Sequence, residues 1–315
     1  MKAYITLLWL ISCLSVSAQT ADEISSTLSD LYNAGNYGEV ISLSDKAIKT
    51  DSLNVGGYIL RSLALQGAKK YIESLDACDA GLNMFPNNSD LCTTKGTLLV
   101  EYSAFDEGIK WHNLAYNYAQ NDSAKLRVLV NRSAAFSMVR RFDEAYDDLM
   151  EAYKIDSNDV GVCINLGSVM DEIGKGDSTL YYFYRVLQID STNIDIYNNI
   201  GFKLQNMGDH KGAIVCFDRI LEATPGEEGA DAFAFSNRSY SKLQIGDTKG
   251  AMEDINKSIK LYPLNSWAYR NKGLIYVAMG KNDKACEQFM EALEKGFTQM
   301  YGDEVVKLYQ TYCQN

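Results

Sequence analysis

Apolar positions recur along this chain in a two-helix rhythm whose period is close to 34 residues. Units start at Ala21, Val55, Ser89, Leu126, Val160, Ile194, Ala232 and Ser266, and the fourth and eleventh positions carry large apolar groups in most of them, as in Tyr197 with Leu204 and Tyr269 with Tyr276. Positions 4, 8 and 11 lie three or four apart, so they share one helical face. The eighth position reads Leu28, Ser62, Gly96, Ser133, Gly167, Gly201, Ser239 and Gly273. The twentieth reads Val40, Ser74, Gly108, Ala145, Thr179, Ala213, Ala251 and Ala285. Small side chains at two such positions let antiparallel helices approach closely, because the contacting side chains set the separation. Gly35, Gly174, Gly208, Gly246 and Gly280 all fall at position fifteen, where a first helix ends and a C-cap without a Cβ is needed. The chain's three prolines, Pro86, Pro225 and Pro263, fall at position thirty-two and stop the second helix. Each unit reads as helix, turn, helix, stop.

A polar column runs in the same register. Asn131, Asn165, Asn199, Asn237 and Asn271 follow one another at spacings of 34, 34, 38 and 34 residues. A fixed period of this size marks one supersecondary unit copied and stacked. The pattern resembles the tetratricopeptide repeat. Unit six matches it through Tyr197, Ile200-Gly201, Gly208, Ala213, Phe217 and Pro225, and unit eight through Tyr269, Gly273, Tyr276, Ala285, Phe289 and Ala292. Cys92 and Cys163 depart from the aromatic at position 4, and Thr179 from the alanine at position 20. The resemblance covers residues 21–299 and implies an all-α, right-handed superhelical solenoid of eight repeats over residues 19–299. Residues 300–315 form a C-terminal capping helix over the last repeat, with Val305, Val306, Leu308, Tyr309 and Tyr312 on its apolar side. No Ser/Gly/Pro-rich linker interrupts the chain, so one continuous solenoid is expected. Insertions at Asn121–Lys125 and Gly226–Asp231 are expected to lengthen loops.

Residues 1–18 are a different kind of sequence. Lys2 gives a positive start, Ala3 to Val16 is mostly apolar, and Val16-Ser17-Ala18 before Gln19 resembles a signal-peptidase site. The run is shorter than the about twenty apolar residues that span a bilayer. The leading expectation is a cleaved signal peptide and a secreted or periplasmic chain. Leu10-Ile11-Ser12-Cys13 resembles a lipoprotein box and would instead leave a lipidated Cys13; retention of the segment as an anchor is the third reading. No other segment is long and apolar enough to cross a bilayer.

The chain carries 30 basic and 41 acidic groups, a net charge of −11 that becomes −12 once Lys2 leaves with the signal. Such a surface repels polyphosphate and anionic lipid, which disfavours nucleic acid and membrane headgroups. A neutral or basic protein or peptide is the complementary partner. Cys78, Cys92, Cys163, Cys216, Cys286 and Cys313 occupy scattered repeat positions without framework spacing, so free thiols buried as small hydrophobes are expected, with Cys78–Cys92 the best-placed pair for a bridge.

Little in the chain suggests chemistry. His112 sits at position 24 of unit three, a core position, and His210 follows the turn glycine Gly208; neither has the company a zinc site needs. No phosphate loop or nucleophile elbow is present. Asp143-Glu144 and Asp147-Asp148 read as a solvated helix face. The chain is therefore read as a non-enzyme that needs no cofactor and no metal.

The asparagine column is the candidate site. Position 6 lies on the first helix away from the helix-pair core, and in tetratricopeptide superhelices that face lines the concave groove. Asn offers a donor and an acceptor, which matches the two groups of each peptide unit in an extended chain. Stacked at the repeat spacing, five could hold a backbone; the alternative is that they bond within the scaffold. Phe202, Phe233, Tyr240 and Trp267, at positions 9, 2, 9 and 2, share that face as candidate anchors for a partner's side chains, with Arg270 nearby to pair a carboxylate. The alternative for the rings is that they cover gaps between neighbouring first helices. The carboxylate clamp of chaperone-binding members is not supported, because Val130 and Ile164 stand where it needs lysine beside Arg127 and Asn131. Two functions follow: a scaffold holding a peptide segment or helix in the groove, or a structural subunit of a cell-envelope complex that binds through its convex face or edges.

Overall fold

The computed structural model describes residues 31–223 and 228–314, apart from 33, 51 and 53. The expected signal segment, Cys13, Pro225 and most of the first helix of unit one lie outside those residues. The described residues are helical with short connections, and no strand occurs among them. The chain forms two compact units, one ending at Gly176 and one beginning at Asp177. The first contains α1 (Tyr37–Thr50), α2 (Val55–Gly67), α3 (Tyr71–Met84), α4 (Ser89–Glu101), α5 (Phe105–Tyr118), α6 (Asp122–Met138), α7 (Phe142–Ile155) and α8 (Val160–Glu172). The second contains α9 (Gly176–Ile189), α10 (Ile196–Asn206), α11 (His210–Ala223), α12 (Glu228–Gln244), α13 (Thr248–Leu261), α14 (Ser266–Ala278), α15 (Asn282–Glu294), α16 (Phe297–Tyr301) and α17 (Glu304–Cys313).

Helix starts are set by side chains. Asn54, Asn88, Asn121, Asp159 and Asp247 each accept a hydrogen bond from the backbone N–H three residues on, which supplies a donor that the first turn would leave orphaned. Helix ends are set by position fifteen. Its five glycines take φ between 69° and 86°, and the residues there in units two, three and four, Lys69, Ser103 and Arg140, take the same left-handed conformation at φ 61°, 65° and 60°. The turn geometry is thus kept even where the glycine is lost, at a steric cost to an L residue.

The helix pairs close where the small positions predict. A Cβ on Gly201 would lie 2.7 Å from the Phe217 ring, and one on Gly96 would lie 2.9 Å from His112. Position 24 therefore lies against position 8. Where position 8 is serine, its hydroxyl donates across the pair: Ser62 to the Ser74 carbonyl and Ser239 to the Ala251 carbonyl, both at 2.8 Å.

Position 7 carries a second column, of ion pairs. Arg61 reaches Asp45 of the preceding second helix, and Lys95 reaches Asp79 in the same way. Arg132 pairs with Asp148 of its own second helix at 2.7 Å and donates to Asn113 of the one before. Arg238 joins Asp218 at 2.6 Å and Asp254 at 2.7 Å, and Lys242 adds a further bond to Asp254. The first helices α6 and α12 are thereby tied to the second helices on both sides, and α2 and α4 to the preceding one.

Three expectations are corrected. The insertions lengthen helices: α6 starts within the first and α12, from Glu228, within the second, and both are 17 residues long where most first helices have 13. For α6 the cause is Asn121, whose side chain accepts from the Ala124 N–H and starts the helix early. Asp148 is not on a solvated face but buried against Arg132; burial raises its carboxyl pKa and the guanidinium acts against that rise. The cysteines are not all free. Cys286 and Cys313 form a disulfide, while Cys78, Cys92, Cys163 and Cys216 are buried free thiols.

The cap keeps the repeat register. Thirty-four residues separate Arg270 from Glu304 and Trp267 from Tyr301, so α17 occupies the place of a ninth first helix and packs on α15. Val305 is fully buried there. The positions that would receive a ninth second helix are polar: Asp303 and Lys307 pair at 3.1 Å, and Gln310 is exposed. A polar outer face is what ends a repeat stack.

Candidate functional site

The first helices carry the candidate residues, which divide between the two units. In the first unit, the Asn131 amide donates to the Arg127 carbonyl of its own helix at 2.8 Å, and its oxygen accepts from Thr97 of the previous repeat at 3.5 Å. Arg127 pairs with Asp90 across the same boundary at 2.6 Å. Asn165 is half-buried and makes no side-chain hydrogen bond among the described residues.

In the second unit, the column changes character along its length. Asn199 is half-buried and its amide has no partner among the described residues. Asn237 is 6% exposed and donates to Asn198 of the preceding repeat at 3.3 Å. Its backbone carbonyl accepts from Gln205, which also bonds Ser241. Asn271 is fully buried: its amide donates to the Ser236 carbonyl at 3.2 Å and its oxygen accepts from Arg270 at 2.8 Å. Asn237 and Asn271 therefore hold one first helix to the next and are closed to a ligand.

The rings divide in the same way. Trp267 does not face solvent as the repeat register predicts: it stacks on Phe297 at 5.0 Å with Tyr301 edge-on at 5.1 Å, so the short helix α16 covers it. Arg270 finds its carboxylate within the chain, at Glu304 of the cap, and lies 5.2 Å from the Tyr240 ring and 5.1 Å from the Trp267 ring. Tyr240 also meets the edge of His210. Phe202 and Phe233 remain open, 39% and 47% exposed, each touching one other ring: Phe217 and Tyr262 respectively. Of the candidate residues in the second unit, Phe202 and Phe233 stay exposed and Asn199 half-buried.

Residue-type patterns alone missed Gln205 and Glu304, whose partners lie 32 to 36 residues away. The 34-residue register would have paired Glu304 with Arg270. Also missed were Tyr181, Tyr184 and Val215, exposed on the second helices α9 and α11.

His112 is buried with no partner for its Nδ1. Burial pushes its pKa down to about 3, with the Arg132 charge adding to the effect, so it is a neutral core group at ordinary pH. Among the described residues, no cluster of three or more His, Cys, Asp or Glu is placed to hold a metal, and no helix is long and apolar enough to cross a membrane.

Comparison with solved structures agrees with this architecture. A tetratricopeptide repeat protein from Parabacteroides merdae superposes with a TM-score of 0.64 at 15% identity, covering 81% of this chain and 98% of that one. The fold is a tetratricopeptide repeat solenoid. A chain of the APC/C hetero-tetramer Cut9–Hcn1 superposes with a TM-score of 0.65 at 14% identity, over 95% of this chain and 57% of that one. The family model of the tetratricopeptide repeat matches residues 255–287. Tetratricopeptide repeat protein 36 of Xenopus tropicalis is 36% identical over 21% of this chain, and a TPR repeat-containing protein of Methanocaldococcus jannaschii is 23% identical over 87% of it. The chain spans 34% and 56% of these two relatives' own lengths.

Proposed function

We propose that this chain is a non-catalytic protein-interaction scaffold that holds a polypeptide partner on the first-helix face of its second unit. The observation that carries the reading is the pair of exposed rings, Phe202 and Phe233, on helices that otherwise use their polar groups to bond one another. Exposed aromatics on a rigid face are the usual energetic anchors of an interface. Asn199 supplies a donor and an acceptor beside them, enough for one peptide unit rather than a ladder of five. The acidic balance of the chain favours a neutral or basic partner over nucleic acid. The similarly folded chain crystallised in the Cut9–Hcn1 hetero-tetramer is part of a protein assembly, which supports the same class of role.

An assembly subunit that binds through its second helices is the second reading, favoured by Tyr181, Tyr184 and Val215, exposed at 60%, 44% and 58%. Site-specific photo-crosslinking separates the two. A photoreactive residue at Phe202 or Phe233 should capture the partner while one at Tyr181 or Val215 does not; the reverse result would assign the second-helix face.

The site of action we propose is outside the cytoplasm, with residues 1–18 removed after Ala18. The Cys286–Cys313 bridge supports this, because disulfides persist in oxidising compartments. N-terminal mass spectrometry of the protein from its source should find Gln19 first; a diacylated Cys13 would assign a lipoprotein instead.

A further inference from the structure

The two halves of the cap helix are held by different means. At its start, Val305 is fully buried and Glu304 pairs with Arg270. Just upstream, Phe297 and Tyr301 close over Trp267. From Leu308 onward no residue is fully buried: Leu308, Tyr309 and Tyr312 are half-covered against the cluster of Ala285, Phe289, Ala292, Phe297 and Val305. The firm attachment at this end is the bond from Cys313 to Cys286, across a sequence separation of 27 residues. A helical turn without a firm tertiary anchor is marginal in water.

The other cysteines among the described residues are set apart from exchange. Cys78, Cys92, Cys163 and Cys216 are all buried. Burial pushes the Cys78 thiol up to about 12 and the Cys92 and Cys216 thiols up to about 11. Exchange needs a thiolate that can reach a sulfur, so these four neither attack the bridge nor compete for a reductant. Cys286 and Cys313, in contrast, are only half-buried.

We propose that Cys286–Cys313 is a redox latch: oxidised, it fixes the second half of α17 as a cover on α15, and a dithiol reductant releases that half while the eight repeats stay folded. In the opening step, one thiolate of the dithiol attacks a sulfur of the bridge, the other cysteine leaves as a thiolate, and the second dithiol sulfur displaces the mixed disulfide. The dithiol becomes a disulfide and its two protons pass to Cys286 and Cys313. The freed turn uncovers the apolar surface on which Leu308, Tyr309 and Tyr312 pack in the closed form.

The test is hydrogen exchange on the full chain, air-oxidised or treated with dithiothreitol, with Cys286→Ser measured without reductant. Because the oxidation is done in vitro, the outcome does not depend on the compartment proposed above. Amides of residues 306–313 should exchange about tenfold faster or more in the reduced protein and in Cys286→Ser, with helices α2 to α13 unchanged. Equal rates in the oxidised and reduced forms would show a staple without a switch. Acceleration spread evenly over residues 177–313 would make the bridge a global brace. Air-oxidised protein in which Cys286 and Cys313 both stayed thiols, by mass after alkylation, would remove the latch altogether. Any of these three results overturns the proposal.

Discussion

Lys69, Ser103 and Arg140 occupy a conformation that the other repeats give to glycine. An L residue there costs about 1–2 kcal/mol, and glycine returns about 0.5–1 kcal/mol of that as extra unfolded-state entropy. Each of Lys69→Gly, Ser103→Gly and Arg140→Gly should therefore raise the denaturation midpoint modestly, and a lowered midpoint would mean that the side chain matters more than the turn. The opposite change tests the helix contact. Gly201→Leu drives a side chain into the Phe217 ring, an over-packing cost of about 1–3 kcal/mol, and a midpoint equal to the parent's would refute the register of position eight. His112 adds a pH dependence. Its folded pKa of about 3 lies below the unfolded value of about 6.5. Between those values the unfolded chain binds a proton that the folded one refuses, so stability falls as pH falls, by up to about 1.4 kcal/mol per unit. His112→Phe, which installs the side chain that Phe217 and Phe289 supply at the same position elsewhere, should remove that share of the slope in urea midpoints measured from pH 7 to pH 4; an unchanged slope would assign it to other groups.

At the scale of the helix pair, the sequence was legible wherever the constraint is local. Small residues at positions 8 and 20, the turn at position 15 and the caps follow from the size and conformational freedom of single residues, and the structure places them as the period predicts. What it hid were partners chosen by distance in space. Nothing in Asp148 or Asp254 distinguishes them from neighbouring solvated carboxylates until the position-7 arginine of the facing helix is seen. Trp267 and Arg270 read as open for the same reason: their cover, Phe297, Tyr301 and Glu304, lies at the end of the last recognisable repeat and beyond it. The ion pairs have their own test. Arg238→Ala leaves buried Asp254 with Lys242 alone, and the loss should be on the order of 3 kcal/mol in chemical denaturation, at the low end for a broken buried pair because one cation remains. A change below about 0.5 kcal/mol, typical of surface sites, would show that the column does not hold the helices together.

For the whole molecule, the register that stacks the repeats also decides which side chains are left uncovered. In the second unit the cap and the cross-repeat bonds consume Asn237, Asn271, Trp267 and Arg270 and leave Asn199, Phe202 and Phe233. Titration calorimetry of the captured partner against Phe202→Ala, Phe233→Ala and Asn271→Ala, paired with the melting temperature of each, tests this division most directly. The phenylalanine variants should each lose about 2 kcal/mol or more of affinity at an unchanged melting temperature. Asn271→Ala should do the reverse, losing about 1–3 kcal/mol of stability because Arg270 and Ser236 are left without their buried partner, while the affinity holds. Phenylalanine variants that bind like the parent, beside an Asn271→Ala protein that melts normally but has lost its partner, would contradict the account and return the site to the asparagine column.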